Sequence, residues 1–162
     1  MEVSKLHVLD LLNRHEIEYM LREHEAVHTM AQAEGLHLPD ADSIAKNLFI
    51  RDDRKQSYYL LCVRKEKHVA LNAIREKLGA RRLSLASEQE LKELLGLSIG
   101  SVTPFGVFHD SRRFIPVLID VDFQEKWIGV HPNTNTATVW LPANDLFRLI
   151  SGYGHPVRWI AI

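Results

Sequence analysis

The residues with the strongest claim to chemistry begin with a lysine in an apolar setting. In the run SIAKNLFIRD, residues 43–52, a strand would send Ile44, Lys46, Leu48 and Ile50 to one face and Ala45, Asn47 and Phe49 to the other. Both faces are apolar enough to be covered. An ammonium held there without a partner costs on the order of several kcal/mol. Lys46 must therefore reach a cleft, meet an anion or lose its proton.

Two further segments hold polar residues that propensity alone does not account for. In GSVTPFG, residues 100–106, Gly100 opens backbone conformations closed to other residues and Pro104 removes a donor and stiffens the chain, so the loop can present bare backbone N–H groups. In VHPNTNTATV, residues 130–139, His131 ends a strand ahead of a proline, with Asn133 and Asn135 following. Strand ends and stiff loops are where scaffolds mount sites. Each piece also has a plainer reading: a lysine that snorkels to water, and two turns chosen for turn propensity. None of the three brings a serine, histidine and carboxylate set that would mark a nucleophile, or a histidine and cysteine cluster that would mark a metal.

HEAVH, residues 24–28, matches the zinc-protease pattern literally, but that chemistry needs both histidines on one helix. The preceding IEYML alternates with period two. Thr29 and Gln32 have capping-box spacing, which puts helix onset after His28. We read a loop there and no zinc. Basic residues gather in VRKEKH and REKLGARR, where they could meet a phosphate backbone, yet Glu66 and Glu76 among them equally describe a solvated face.

The elements that must position these residues follow from periodicity. Leu6, Leu9 and Leu12 with Val8 predict a helix over 4–14, and IEYML a strand; a short helix is expected from Thr29 to about Gly35. NLFI and YYLLCV flank the polar RDDRKQ as a hairpin at the centre of the sheet. Asn72 is expected to cap a helix ending at Gly79, and Ser87 with Glu90 forms a capping box before LKELLG. Strands are predicted at FIPVLIDV, WIGVH, TATVWL and VRWIAI, with a helix over about 142–150. Helices gathered between runs of strands give an α+β fold, one domain with a mixed, mostly antiparallel sheet flanked by helices and no doubly wound nucleotide fold.

A chain of 162 residues with 46% hydrophobic and 25% charged composition suits a single globular domain over residues 1–162. No apolar run approaches a bilayer span, and the first ten residues lack the apolar core of a signal peptide, so a cytoplasmic location is expected. The net charge of −1 argues against a duplex-DNA binder. The lone Cys62, inside YYLLCV, reads as an inert buried thiol.

Taken together, KNLFIRD with YYLLCV, GLSIGSVTPFGVF and HPNTNTATV resemble the YbaK/ProX family of prolyl-tRNA editing domains, from EHEAVHT to ATVWL, nearest the branch that removes alanine from proline tRNA. Gly100 and Pro104 match its G-x-x-x-P loop, Lys46 its functional lysine and His131 the histidine of its second loop. The resemblance implies a deacylase whose substrate is the 3′ aminoacyl-adenosine end of a mischarged tRNA, without metal or cofactor, and with prolyl-tRNA synthetase as a possible partner. It assigns Lys46, Gly100 and His131 to catalysis. Substrate binding falls to His28, Thr29, Met30, Asn47, Ser101, Val102, Pro104 and Asn133. Lys46 would hold a phosphate rather than attack, while His131 orients water or ribose or merely packs. Cysteine, serine or threonine on tRNA, and a non-catalytic tRNA or nucleotide binder, are the alternatives; a pyridoxal-type lysine enzyme lacks a phosphate cradle and ring partner.

Overall fold

The computed structural model describes residues 4–26 and 40–162. Helix α1, Lys5–Arg14, is capped by Ser4, whose hydroxyl accepts from His7 N–H, and it buries Val8, Leu11 and Leu12. Strand β1, Met20–Glu23, lies about three residues beyond the expected run. The predicted hairpin forms as β2, Ala45–Asp52, and β3, Tyr58–Arg64, with Lys46 opposite Val63 and Asn47 opposite Cys62. Then come helix α2, Leu71–Leu78, edge strand β4, Leu83–Leu85, and helix α3, Glu88–Leu95. Strands β5, Val117–Asp120, β6, Trp127–Val130, and β7, Ala137–Pro142, lead into helix α4, Ala143–Gly152, and strand β8, Val157–Ile160.

The α+β architecture expected from the sequence is present, but its strands form two sheets. One has the order β1-β7-β6 and the other β4-β2-β3-β5-β8, with the β2–β3 hairpin at the middle of the larger. The β3–β5 and β5–β8 pairs are parallel and the rest antiparallel. Period-two alternation explains the layers. Phe49, Leu60, Cys62, Val117 and Ile119 face the main core with the smaller sheet, α1, α3 and α4, while Ile50, Leu61, Val63 and Leu118 turn to the other face, beneath Ile74 of α2. Both faces of the central strands are therefore buried. Cys62 is fully covered, and burial pushes its thiol pKa up, so the inert reading holds.

Several local details depart from expectation. Asn72 does not cap α2: the cap position is Ala70, with no side-chain hydrogen bond, and Asn72 lies inside the helix. The Ser87–Glu90 capping box is formed as read, and both α2 and α3 stop at left-handed glycines, Gly79 and Gly96. The turn-rich segment after Gly100 contains a 3-10 helix, Pro104–His109, entered through Thr103. Strand β4 was not anticipated, because three residues give too short a period to detect. Among the described residues no helix is long and apolar enough to cross a membrane.

Candidate functional site

Three hydrogen-bonded ties bring the expected segments together. The first joins the two sheets: Ile44, just before β2, makes an isolated parallel bridge to Gly129 of β6. Gly129 lies opposite Trp140 on β7, and a methyl group there would come within 2.8 Å of Trp140 Nε1 and 3.1 Å of Ile44 Cγ1. Only glycine lets the backbones approach this closely. Trp140, fully buried, donates from Nε1 to the Asp40 carbonyl at 3.2 Å. Lys46 stands two residues on from the bridge along one strand and His131 two residues on along the other.

The second tie runs from Asn47 Nδ2 to the Val102 carbonyl at 3.2 Å, fastening β2 to the Gly100 loop. Asn47 Oδ1 is buried with no hydrogen-bond partner among the described residues. A buried amide oxygen left open costs about 1–3 kcal/mol, which marks it as a position awaiting a donor. The third tie is Thr103 Oγ1, which donates to the His131 carbonyl at 2.5 Å and accepts from Phe105 N–H at 3.4 Å. Thr103 is fully buried and links the loop to the histidine segment while capping the 3-10 helix.

Lys46 is half-buried and faces opposite to Asn47 along the strand. Its Nζ donates to the Lys67 carbonyl at 2.5 Å. An ammonium has three donors, and this carbonyl takes one. No carboxylate pairs with Lys46 among the described residues. Lys67 is held by its own network: its Nζ meets Asp120 Oδ1 at 2.9 Å and Asp122 Oδ2 at 2.6 Å and donates to the Ile162 carbonyl at 3.3 Å. Asp120, fully buried, also accepts from Arg64 N–H at 3.1 Å. The turn that receives Lys46 is thus fixed by a buried carboxylate.

The Gly100 loop has the backbone the sequence suggested, with φ +90° at Gly100, in the region that favours glycine. Ser101 is buried, and its N–H and hydroxyl both donate to the Ser98 carbonyl, at 3.1 and 2.9 Å. Ser101 therefore shapes the loop from within. The N–H groups of Gly100 and Val102, both half-buried, have no acceptor among the described residues. Pro104 is buried as the first residue of the 3-10 helix.

His131 Nδ1 donates to the Ala137 carbonyl at 2.9 Å, which leaves Nε2 as the ring's acceptor in the neutral form. Burial lowers its pKa below the ordinary histidine value; the Ala137 bond opposes this and the nearby His24 ring adds to it. The ring centroids of His24 and His131 are 6.2 Å apart. His24 is engaged at both nitrogens: Nδ1 donates to the Glu25 carbonyl at 2.7 Å and Nε2 meets Thr138 Oγ1 at 2.8 Å. Asn133 takes a left-handed turn, φ +57°, which asparagine tolerates. His28, Thr29 and Met30, expected to bind substrate, lie outside the described residues, as does the short helix expected after Thr29.

Sequence reasoning did not find Thr103, Thr138 or the Lys67 carbonyl. The first two look like ordinary strand or loop threonines, and a carbonyl carries no side-chain signal. Within the basic runs, Arg64 meets Glu66 at 3.2 Å, Arg75 meets Glu76 at 4.0 Å and Arg81 meets Asp53 at 2.6 Å.

Residues 24–149 match the aminoacyl-tRNA editing domain family. The chain is 34% identical over 160 residues to Prolyl-tRNA editing protein ProX of Acetoanaerobium sticklandii, covering 98% of each chain. It is 33% identical over 149 residues to prolyl-tRNA synthetase associated domain-containing protein 1 of Danio rerio, covering 90% of this chain and 80% of that one. A crystal structure of a candidate trans-editing enzyme for prolyl tRNA synthetase superposes with a TM-score of 0.68 at 23% identity, covering 100% of this chain and 99% of that one, a likeness of fold.

Proposed function

Since the chain belongs to the aminoacyl-tRNA editing domain family, we propose that it hydrolyses the ester of mischarged proline tRNA in trans, with alanine as the amino acid removed. The observation that carries this reading is the convergence of β2, the Gly100 loop and His131 through the Ile44–Gly129, Asn47–Val102 and Thr103–His131 ties. A site held this rigidly can select by size.

The need for such a site is physical. A synthetase pocket built for proline cannot strongly exclude the smaller alanine, because each missing methylene is worth only about 1–3 kcal/mol. A second, smaller cavity completes the discrimination. Gly100 and Pro104 wall it off so that an alanyl group enters and a prolyl group clashes; His28, Thr29 and Met30 are the further residues assigned to substrate binding in this scheme. Lys46 holds a phosphate of the terminal nucleotide with the donors its Lys67 bond leaves over. Asn47 Oδ1 accepts from the adenosine or ribose. Water attacks the ester carbonyl, and the N–H groups of Gly100 and Val102 steady the oxyanion. The ribose 2′-OH relays the proton to the departing 3′ oxygen, and neutral His131 orients water or ribose through Nε2. Asn133 shapes the loop beside it. Prolyl-tRNA synthetase, holding the same tRNA in the cytoplasm, supplies the recognition of tRNA identity in this scheme.

The test is a deacylation panel on proline tRNA charged with alanine, cysteine, serine or proline. Alanine should be released fastest and proline spared. Faster release of cysteine or serine overturns the assignment to alanine, and binding without any release overturns hydrolysis itself.

A further inference from the structure

A cavity lies away from the candidate editing site, between α1, the end of the 3-10 helix and the turn that follows α4. It is a half-open hollow of about 260 Å³. Its walls include Leu11, Phe108 and Tyr153, and its polar groups include His7, Arg113 and His155. The 260 Å³ volume falls just below the usual range of small-molecule sites, so it suits a compact ligand.

His155 is 6% exposed, and its Nδ1 is buried with no hydrogen-bond partner among the described residues. A bare lone pair is the less costly atom to leave unpaired, since buried N–H donors are the rarer orphans. The proton then resides on Nε2, and that edge of the ring is left to donate to a ligand. Burial, aided by Arg113 and opposed by Asp110, lowers the His155 pKa, which favours this neutral form. Phe108 packs edge-on against both His155 and Tyr153, with ring centroids 5.4 and 5.6 Å away, and so fixes the ring.

Arg113 is an exposed residue on the cavity wall. It adopts φ +55° and lies across Gly154, where an added methyl would come within 3.3 Å of its Cδ. No carboxylate pairs with its guanidinium among the described residues. Asp110 also lines the cavity, but its carboxylate is occupied by the N–H groups of Arg112, Phe114 and Ile115, at 3.2, 2.8 and 3.1 Å. The groups left over are donors above an apolar and aromatic floor.

We infer that this cavity binds a small organic anion, a carboxylate or phosphate monoester on a flat apolar body, with Arg113 and His155 Nε2 donating to the anionic oxygens and Phe108 and Tyr153 packing on the ring. Calorimetric titration of the whole chain with benzoate and with phenyl phosphate tests it, with neutral benzamide as the shape control and the His155 ring resonances followed by NMR. At least one anion should saturate, benzamide should bind at least about tenfold more weakly, and the His155 signals should move with the same midpoint. The anion that binds more tightly identifies the natural headgroup. Arg113→Asn, which keeps a residue suited to positive φ, should weaken binding about tenfold while leaving deacylation unchanged. Saturation by neither anion, equal binding of benzamide, wild-type affinity in the variant, or shifts confined to His131 would each overturn the inference.

Discussion

Thr103→Val removes one hydroxyl while keeping the shape of a fully buried side chain. Two groups lose a partner: the His131 carbonyl, which accepts from Oγ1 at 2.5 Å, and Phe105 N–H, which donates to it at 3.4 Å. A buried group deprived of its partner costs about 1–3 kcal/mol, and the long second bond belongs at the low end. Loss of the cap is contained in that second figure. The sum is about 2–4 kcal/mol, a large share of the usual 5–15 kcal/mol of a domain, so the variant should fold but with a lowered urea midpoint. With a slope near 2 kcal/mol/M, the midpoint falls by about 1–2 M. The catalytic effect is separate. Releasing His131 from the Gly100 loop loosens the cavity, and displacements of about 1 Å cost up to about a hundredfold in rate. The assay pairs urea denaturation with single-turnover deacylation of alanyl-tRNA below the new midpoint. Thr103→Ser, which keeps the hydroxyl, should lose about 1 kcal/mol for its methyl and retain most activity. A valine variant with both the wild-type midpoint and the wild-type rate would refute the role of this hydroxyl as the tie.

Gly129→Ala should destabilise by about 1–3 kcal/mol, because the new methyl meets buried Trp140 and Ile44 at 2.8–3.1 Å. Gly152→Ala, with nothing within 4 Å, should be neutral or stabilising by up to about 1 kcal/mol, and urea melts followed by tryptophan fluorescence separate the two. Lys46→Ala is expected to lower kcat/KM by about two orders of magnitude with an unchanged melting temperature; full turnover in that variant would remove the lysine from the site. Glu90 contributes stability that acid removes. Burial opposes its charge, but bonds from Ser87 N–H, Tyr58 and Arg51 outweigh that and bring its pKa down to about 2 from 4.5. The stabilisation is complete above about pH 4.5 and is lost as pH falls toward 2, so Glu90→Gln should flatten that part of the stability profile, read as urea midpoint against pH.

Much of this fold was written locally. The β2–β3 hairpin and the Ser87–Glu90 capping box depend on neighbours a few residues apart, and each appeared where periodicity and spacing placed it. The division of strands into two sheets was not legible, because Ile44 meets Gly129 and β3 pairs with β5 across long stretches of chain. Asn72 does not act as a cap: α2 starts one residue before it, at Leu71, and buries Ile74.

The amino-acid sequence alone singled out the candidate site residues: a lysine in an apolar strand, a glycine able to take φ +90° and a histidine at a strand end. Types and local conformation are properties of short segments, and so they survive reading in one dimension. Only the tertiary structure decided that Asn47 fastens to Val102, that Thr103 holds His131 and that Lys46 leans on the Lys67 carbonyl. Those bonds join atoms 21 to 55 residues apart, all three end on backbone carbonyls that every residue owns, and their selection rests on the packing of two sheets around a glycine.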